Sequence, residues 1–156
     1  MRSVTIVLAR VALGLSVLLV LATGPSAGAD AMLHSQHTPL HPVTGAPLAN
    51  GFVENIHANG PNVFAHEVYV LAGALPNTTF TVSIAVYFQD RTCSSTPITF
   101  PTATLTTSAG GGGKADVFFS PEDAAALRNA THGAIWTLSA NGHPVYQTAC
   151  TTIVLD

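Results

Sequence analysis

The chain has 156 residues, of which 47% are hydrophobic and 8% are charged, with five Lys and Arg against eight Asp and Glu. Two of the bases, Arg2 and Arg10, fall within the first 29 residues, which leaves Arg91, Lys114 and Arg128 for the rest. Such scattered cations cannot neutralise a row of phosphates, so we expect no nucleic-acid partner. The length is that of one domain with its own core.

The first 29 residues have the order of an export signal. Basic residues come first, an apolar run extends from Val11 to Ala22, and small residues follow. Small residues suit a signal peptidase after Ala29 and again after Ala31. The run of 12 apolar residues is shorter than the roughly 20 that span a bilayer, although extension back to Val4 leaves a retained anchor open. We predict a signal peptide over residues 1–29, a secreted or cell-envelope protein, and membrane contact only through that signal.

Residues 30–50 are rich in Pro and His without periodicity, which predicts an irregular lead-in. Three histidines in it, His34, His37 and His41, have the side chains that bind Cu or Zn, and a flexible segment can fold them around one ion. Cleavage after Ala31 would also place His34 third from a free amine, an arrangement that chelates Cu(II). Metal capture by these histidines is therefore an alternative function, and no other cofactor is expected.

The rest of the chain, residues 51–156, alternates short apolar stretches with turn residues, as antiparallel all-β domains do. The clearest strand covers residues 78–88, where Phe80, Val82 and Ile84 fall on one face at a period of two. Seven strands are predicted, the number in an immunoglobulin-like β-sandwich: residues 52–58, 63–71, 78–88, 98–106, 114–119, 134–140 and 145–155.

One short helix is predicted over about residues 121–129. Ser120 is a good N-cap, Pro121 suits the first helical position, and Glu122 and Asp123 favour the positive end of the helix dipole.

Both cysteines, Cys93 and Cys150, lie in the exported part of the chain. An even number of cysteines without C-x-x-C spacing predicts a structural disulfide in an oxidising compartment. The bridge would close a loop of 58 residues (150 − 93 + 1). The chain-entropy estimate for a loop of that length is roughly 4 kcal/mol.

The segment from Gly73 to Val82 contains a Pro-x-Thr-x-aromatic-x-Val run at Pro76–Val82. It resembles the entry into a strand in fibronectin type III modules, where such a run closes one edge of the sandwich. The resemblance implies an immunoglobulin-like sandwich and, by itself, no particular function.

No group of residues has the spacing of a catalytic signature, so we predict a non-enzymatic binding module for a protein or a glycan at the cell surface. A protein would bind to Thr-rich strand faces such as Thr102, Thr104 and Thr106. A glycan would bind in a groove lined by exposed aromatic side chains. The aromatic candidates are Tyr69, Tyr87, Tyr146 and Trp136. A further alternative is an enzyme of unfamiliar type that uses His57, His66 and Glu67, which requires these side chains to lie within hydrogen-bond reach.

Overall fold

The computed structural model of the chain describes residues 34–43, 45–57, 65–123, 125–128 and 130–155. Within these ranges the chain forms nine β-strands and a short 3-10 turn, and every strand pairing is antiparallel. The predicted antiparallel all-β class is therefore confirmed. The elements are β1 (His34–Pro42), β2 (Asn50–His57), β3 (Ala65–Ala72), β4 (Thr79–Tyr87), β5 (Ile98–Thr106), β6 (Gly113–Phe119), the 3-10 turn (Ala125–Leu127), β7 (Ala130–Ala140), β8 (His143–Thr148) and β9 (Thr151–Leu155).

The strands form one sheet in the order β5-β4-β7-β8-β1-β2-β3-β6, and β9 pairs with β7 beyond the end of β8. Residues 34–39 of β1 pair with β2, whereas residues 40–42 pair with β8, so β1 joins the two halves of the sheet. The end strands β5 and β6 approach each other, and the sheet nearly closes into a barrel. The two halves are called here the β2–β3–β6 half and the β4–β5–β7 half.

The predicted count of seven strands is wrong for two reasons. The predicted last strand, residues 145–155, is interrupted at Ala149 and Cys150, so that β8 and β9 lie in tandem along the same edge of β7. The second reason is the additional strand β1, which lies within the segment predicted to be irregular. Its sequence has no clear alternation and contains Pro39 and Pro42, and its place is fixed by backbone pairing with two neighbouring strands.

The predicted helix over residues 121–129 is also wrong. The capping contacts do form: the Ser120 N–H donates to Asp123 Oδ2 at 3.1 Å, and the Asp123 N–H donates to Ser120 Oγ at 3.2 Å. However, only the 3-10 turn follows, and it contains no buried residue. Because nucleating an α-helix is costly and β7 begins at Ala130, this short segment has neither the length nor the packing to continue.

The core lies between the two halves of the sheet. On β4 the alternating apolar residues Phe80, Val82, Ile84 and Val86 are buried, as the period of two predicts. The largest fully buried side chains are aromatic: Trp136, Tyr69, Tyr146 and Phe80.

The disulfide joins Cys93, in the β4–β5 connection, to Cys150, at the junction of β8 and β9, with the Cα atoms 5.9 Å apart. The predicted pairing is thus confirmed, and it is compatible with an oxidising, extracellular compartment. Within the described ranges, no helix has the length and apolar character needed to cross a membrane.

Candidate functional site

One carboxyl group, that of Glu67, is buried inside the sheet. Glu67 on β3 is only 3% exposed. The phenol of Tyr69 donates a hydrogen bond to Glu67 Oε2, and the indole Nε1 of Trp136 donates to the same oxygen at 3.0 Å. The Tyr69 hydroxyl also lies 2.7 Å from Thr102 Oγ1 on β5. The four side chains therefore form one polar network that links the two halves of the sheet.

Burial controls the protonation of this network. Desolvation raises the pKa of Glu67 from 4.5 to about 7, although hydrogen bonds from Tyr69 and Trp136 act in the opposite direction. Burial, and then the nearby carboxylate, also raise the pKa of Tyr69 above its ordinary value. Among the described residues no salt bridge reaches Glu67, so a proton takes the place of a cation partner at mildly acidic pH.

Glu67 lines a small cavity between the two halves of the sheet. The cavity measures about 30 Å³, which is space for one or two water molecules. Its polar end is formed by Glu67 and Asn55, which are register partners on β3 and β2. Asn55 is 3% exposed, and its Oδ1 has no hydrogen-bond partner among the described residues. The other lining residues are Ala65, Ile84, Phe100, Phe119, Asp123, Leu127 and Ile153.

A second concave feature, the seam groove, runs between β5 and β6 on the surface. It is lined by Phe100, Pro101, Thr102, Val117, Phe118, Phe119 and Asp123. Phe100, Phe119 and Asp123 line both the groove and the cavity, so these side chains form the wall between them. Phe118, at the outer rim, is 58% exposed. Most side chains that line the groove are therefore hydrophobic, and Asp123 places an acidic group on its wall.

The groove exists because β5 and β6 are not paired by a backbone ladder in the described part of the chain. Pro101 has no N–H to donate, and the register of β4 with β5 shifts between Val82 and Ser83. This bulge turns Thr102 toward Tyr69 in the interior, so Thr102 does not belong to an exposed threonine face.

Two histidines lie on the outer face of the β2–β3–β6 half. The ring of His66 stacks on Phe118 with centroids 4.0 Å apart, and its Nε2 lies 3.3 Å from Asp116 Oδ2. The ring of His37 packs against Phe52 at 4.1 Å, and its Nδ1 lies 3.0 Å from Glu54 Oε2. Each histidine thus covers a phenylalanine ring and contacts one carboxylate.

The structure does not bring His66 and Glu67 together. Successive residues of a strand point to opposite faces, so His66 lies on the outer face while Glu67 lies in the core. The backbone of His57 is in register with Ala65, and its side chain lies outside what the structure describes. The geometry therefore gives no support to the enzyme alternative.

The three histidines of the metal alternative all lie on β1. In an extended strand, residues three and four positions apart are separated by about 10 and 13 Å, too far for His34, His37 and His41 to bind one ion together. The side chain of His34 lies outside the described residues, and His37 contacts Glu54. No group of three His, Cys, Asp or Glu able to hold a metal occurs among the described side chains. Metal capture stays a prediction.

The four candidate aromatic residues do not form a surface groove. Tyr69, Tyr146 and Trp136 are fully buried, and Tyr87 is half-buried. The aromatic side chains that do line the surface groove are phenylalanines. Sequence reasoning missed them because β5 and β6 are distant in sequence and their meeting depends on closure of the sheet.

No protein family, curated protein or solved structure that was compared with the chain matches it.

Proposed function

We propose that the domain is a non-enzymatic binding module of the cell exterior or envelope, and that it binds an extended polypeptide segment in the seam groove. One observation carries the proposal. A groove whose side chains are mostly hydrophobic, with Phe118 58% exposed at its rim, lies between two strand edges that no ladder pairs in the described structure. Large exposed apolar side chains clustered at a concave surface are typical of interaction sites.

The absence of a ladder between β5 and β6 in the described structure favours an extended peptide as the ligand. Such a peptide adds to a sheet edge through backbone hydrogen bonds, and pockets for alternate side chains give specificity. Here the pocket walls are Phe100, Val117 and Phe119, with Asp123 as the charged member. We therefore expect a segment that presents apolar side chains and a basic residue.

A protein ligand is favoured over a glycan by the chemistry of the groove. Glycan sites combine stacking aromatic rings with many polar groups, whereas this groove offers Thr102 and Asp123 as its polar side chains. Thr102 is already engaged with Tyr69. The exposed threonines Thr104 and Thr106 lie further along β5 and are not among the groove residues.

The extracellular or envelope location and the immunoglobulin-like relationship are part of the same proposal. The disulfide supports an oxidising compartment, and the predicted signal peptide supports export. The immunoglobulin-like relationship is proposed from residues 73–82 alone. The continuous nine-stranded sheet counts against a simple two-sheet sandwich.

Selection from a displayed random-peptide library on the folded, oxidised protein tests the proposal. We expect enriched peptides that share apolar residues and at least one Lys or Arg. Their affinity should fall at least tenfold for Phe118→Ser and remain unchanged for Phe88→Ser, which removes a 40% exposed phenylalanine that does not line the groove. The proposal fails if no peptide is enriched, or if Phe118→Ser binds the enriched peptides as well as the wild type.

A further inference from the structure

We propose that the interior cavity is a binding site for a primary alkylammonium group, an NH₃⁺ on a short unbranched alkyl chain. This inference goes beyond the peptide-binding groove, because it concerns the cavity behind the wall of Phe100, Phe119 and Asp123.

The polar end of the cavity consists of oxygen acceptors. Asn55 Oδ1 is buried without a partner, and the two described hydrogen bonds of Glu67 both end on Oε2. Asp123 adds a third oxygen-bearing side chain on the wall. An ammonium group has three donors and no acceptor, so it satisfies Asn55 and the carboxylate at the same time. Anionic ligands would meet Glu67 and Asp123 as like charges.

The remaining wall of the cavity is apolar. Ala65, Ile84, Leu127 and Ile153 offer apolar surface, and the space of about 30 Å³ is narrow. A compact NH₃⁺ head fits such a space, whereas a guanidinium or a quaternary ammonium is larger. The two rings of Phe100 and Phe119 border both the cavity and the groove, so an alkyl chain that leaves the cavity toward the groove would pass apolar side chains.

Buried charge needs a partner, and the described residues supply no cation to Glu67. Among the described residues, the titratable groups that face it are Tyr69 on its own strand and Asp123 on the connection after β6. His132, buried on β7, is the register partner of the lining residue Ile153. The lining residues from β4, β5 and β9 are apolar. An ammonium ion is therefore the complement that this end of the cavity lacks.

The amine should bind the ionised carboxylate. With a pKa of about 7 for Glu67, the ionised fraction rises about tenfold between pH 6 and pH 8 while an alkylamine remains charged. We expect the affinity for n-butylammonium to rise by about the same factor.

The test is calorimetric titration of the full protein with n-butylammonium at pH 6 and pH 8, with n-butanol as the uncharged isostere. We expect saturable binding of the amine, no binding of n-butanol at the same concentration, and a loss of at least tenfold for Glu67→Gln. Glu54→Gln, on the adjacent strand but on the outer face, is the matched control and should bind like the wild type. Equal binding of n-butanol, or undiminished amine binding by Glu67→Gln, would overturn the proposal.

A second measurement uses the wild-type protein, so that the test does not depend on the folding of Glu67→Gln. The carboxyl ¹³C resonance of Glu67 in the wild type should titrate at lower pH when n-butylammonium is present, and an unchanged midpoint would overturn the proposal. A peptide with one central lysine, compared with the free amine, shows whether the group comes from a small molecule or from a lysine side chain. If neither binds, the cavity proposal fails, whereas the seam groove is tested separately by Phe118→Ser.

Discussion

The indole Nε1 of Trp136 on β7 lies 3.0 Å from Oε2 of Glu67 on β3. This hydrogen bond joins the largest fully buried side chain to a buried carboxyl and links the two halves of the sheet across the core. Hydrogen bonds from Trp136 and Tyr69 favour the ionised carboxylate, but the cost of desolvation is larger. The stability of the fold is therefore coupled to the protonation of Glu67.

The first prediction is a loss of stability between about pH 5 and pH 8. The pKa of Glu67 is about 7 in the folded protein against 4.5 for an ordinary glutamate, so the folded state holds its proton more tightly than the unfolded chain. The resulting stabilisation is complete below about pH 4.5 and is lost as the pH rises through 7. The difference between the two values, at about 1.4 kcal/mol per pH unit, corresponds to about 3 kcal/mol.

Urea unfolding at pH 5 and pH 8 measures this loss. Other groups also titrate in this range, so the relevant quantity is the difference between the wild type and Glu67→Gln, which cannot lose a proton. We expect the decline in the free energy of unfolding to be smaller in the variant by the amount that Glu67 contributes. Parallel declines in the two proteins would show that Glu67 keeps an ordinary pKa.

The second prediction concerns Tyr69→Phe. The variant removes the hydroxyl that contacts both Glu67 and Thr102, and we expect a destabilisation of about 1–3 kcal/mol because buried partners lose a hydrogen bond. The pKa of Glu67 should also rise, since the Tyr69 hydrogen bond lowers it. Tyr87→Phe, at a half-buried position on β4, is the control. Chemical denaturation and a ¹³C titration of Glu67 give the two readouts, and an unchanged Glu67 midpoint would contradict the role given to Tyr69.

Local sequence patterns were sufficient where one face of a strand is apolar. β4 is the example: its buried face is Phe80, Val82, Ile84 and Val86, and its observed bounds lie within one residue of the predicted ones. The disulfide could be predicted because only one pairing of two cysteines exists. The strand could be predicted from a short segment of sequence, and the disulfide from the number of cysteines.

The interior site around Glu67 could not be predicted from local sequence patterns. Residues 65–71 of β3 carry apolar side chains on both faces, with His66, Val68 and Val70 half-buried outside and Glu67 and Tyr69 inside. The alternation is therefore ambiguous, and a one-residue change of register exchanges the two faces. One signal was present: Ala65, Glu67, Tyr69 and Leu71 share a period of two, which places the acid among buried residues.

The third prediction is that Gly133→Ala is destabilising. A Cβ at Gly133 would lie 2.3 Å from the carbonyl oxygen of Asp90 and 2.8 Å from Cys93 Sγ. The backbone of the disulfide loop would have to move, and overpacking of this kind costs about 1–3 kcal/mol. Gly110→Ala is the matched control, because the nearest atom to its Cβ is Ser108 Oγ at 3.9 Å. Thermal unfolding of the oxidised variants checks the difference, and equal melting temperatures would be the contrary result.

The last prediction concerns Asp90, whose carboxylate holds the loop that carries Cys93. It accepts hydrogen bonds from the backbone N–H groups of Thr92, Ser94 and Ser95 at 2.9, 2.7 and 2.6 Å. The Thr92 hydroxyl, and then the backbone N–H groups of Ser95 and Thr92, hold the pKa of Asp90 well below its usual range. Its contribution is therefore present above the ordinary pKa of an aspartate and is lost only in strong acid, outside the pH range in which Glu67 titrates.

Asp90→Asn should loosen this loop, because the amide is uncharged and can accept these hydrogen bonds only through its single oxygen. We expect the Cys93–Cys150 disulfide to be reduced several-fold faster by dithiothreitol and the amide protons of Ser94 and Ser95 to exchange faster. Asp116→Asn, an exposed aspartate on β6, controls for the loss of one negative charge. If both variants are reduced at the rate of the wild type, the loop is held by the disulfide and by the packing of Gly133 alone.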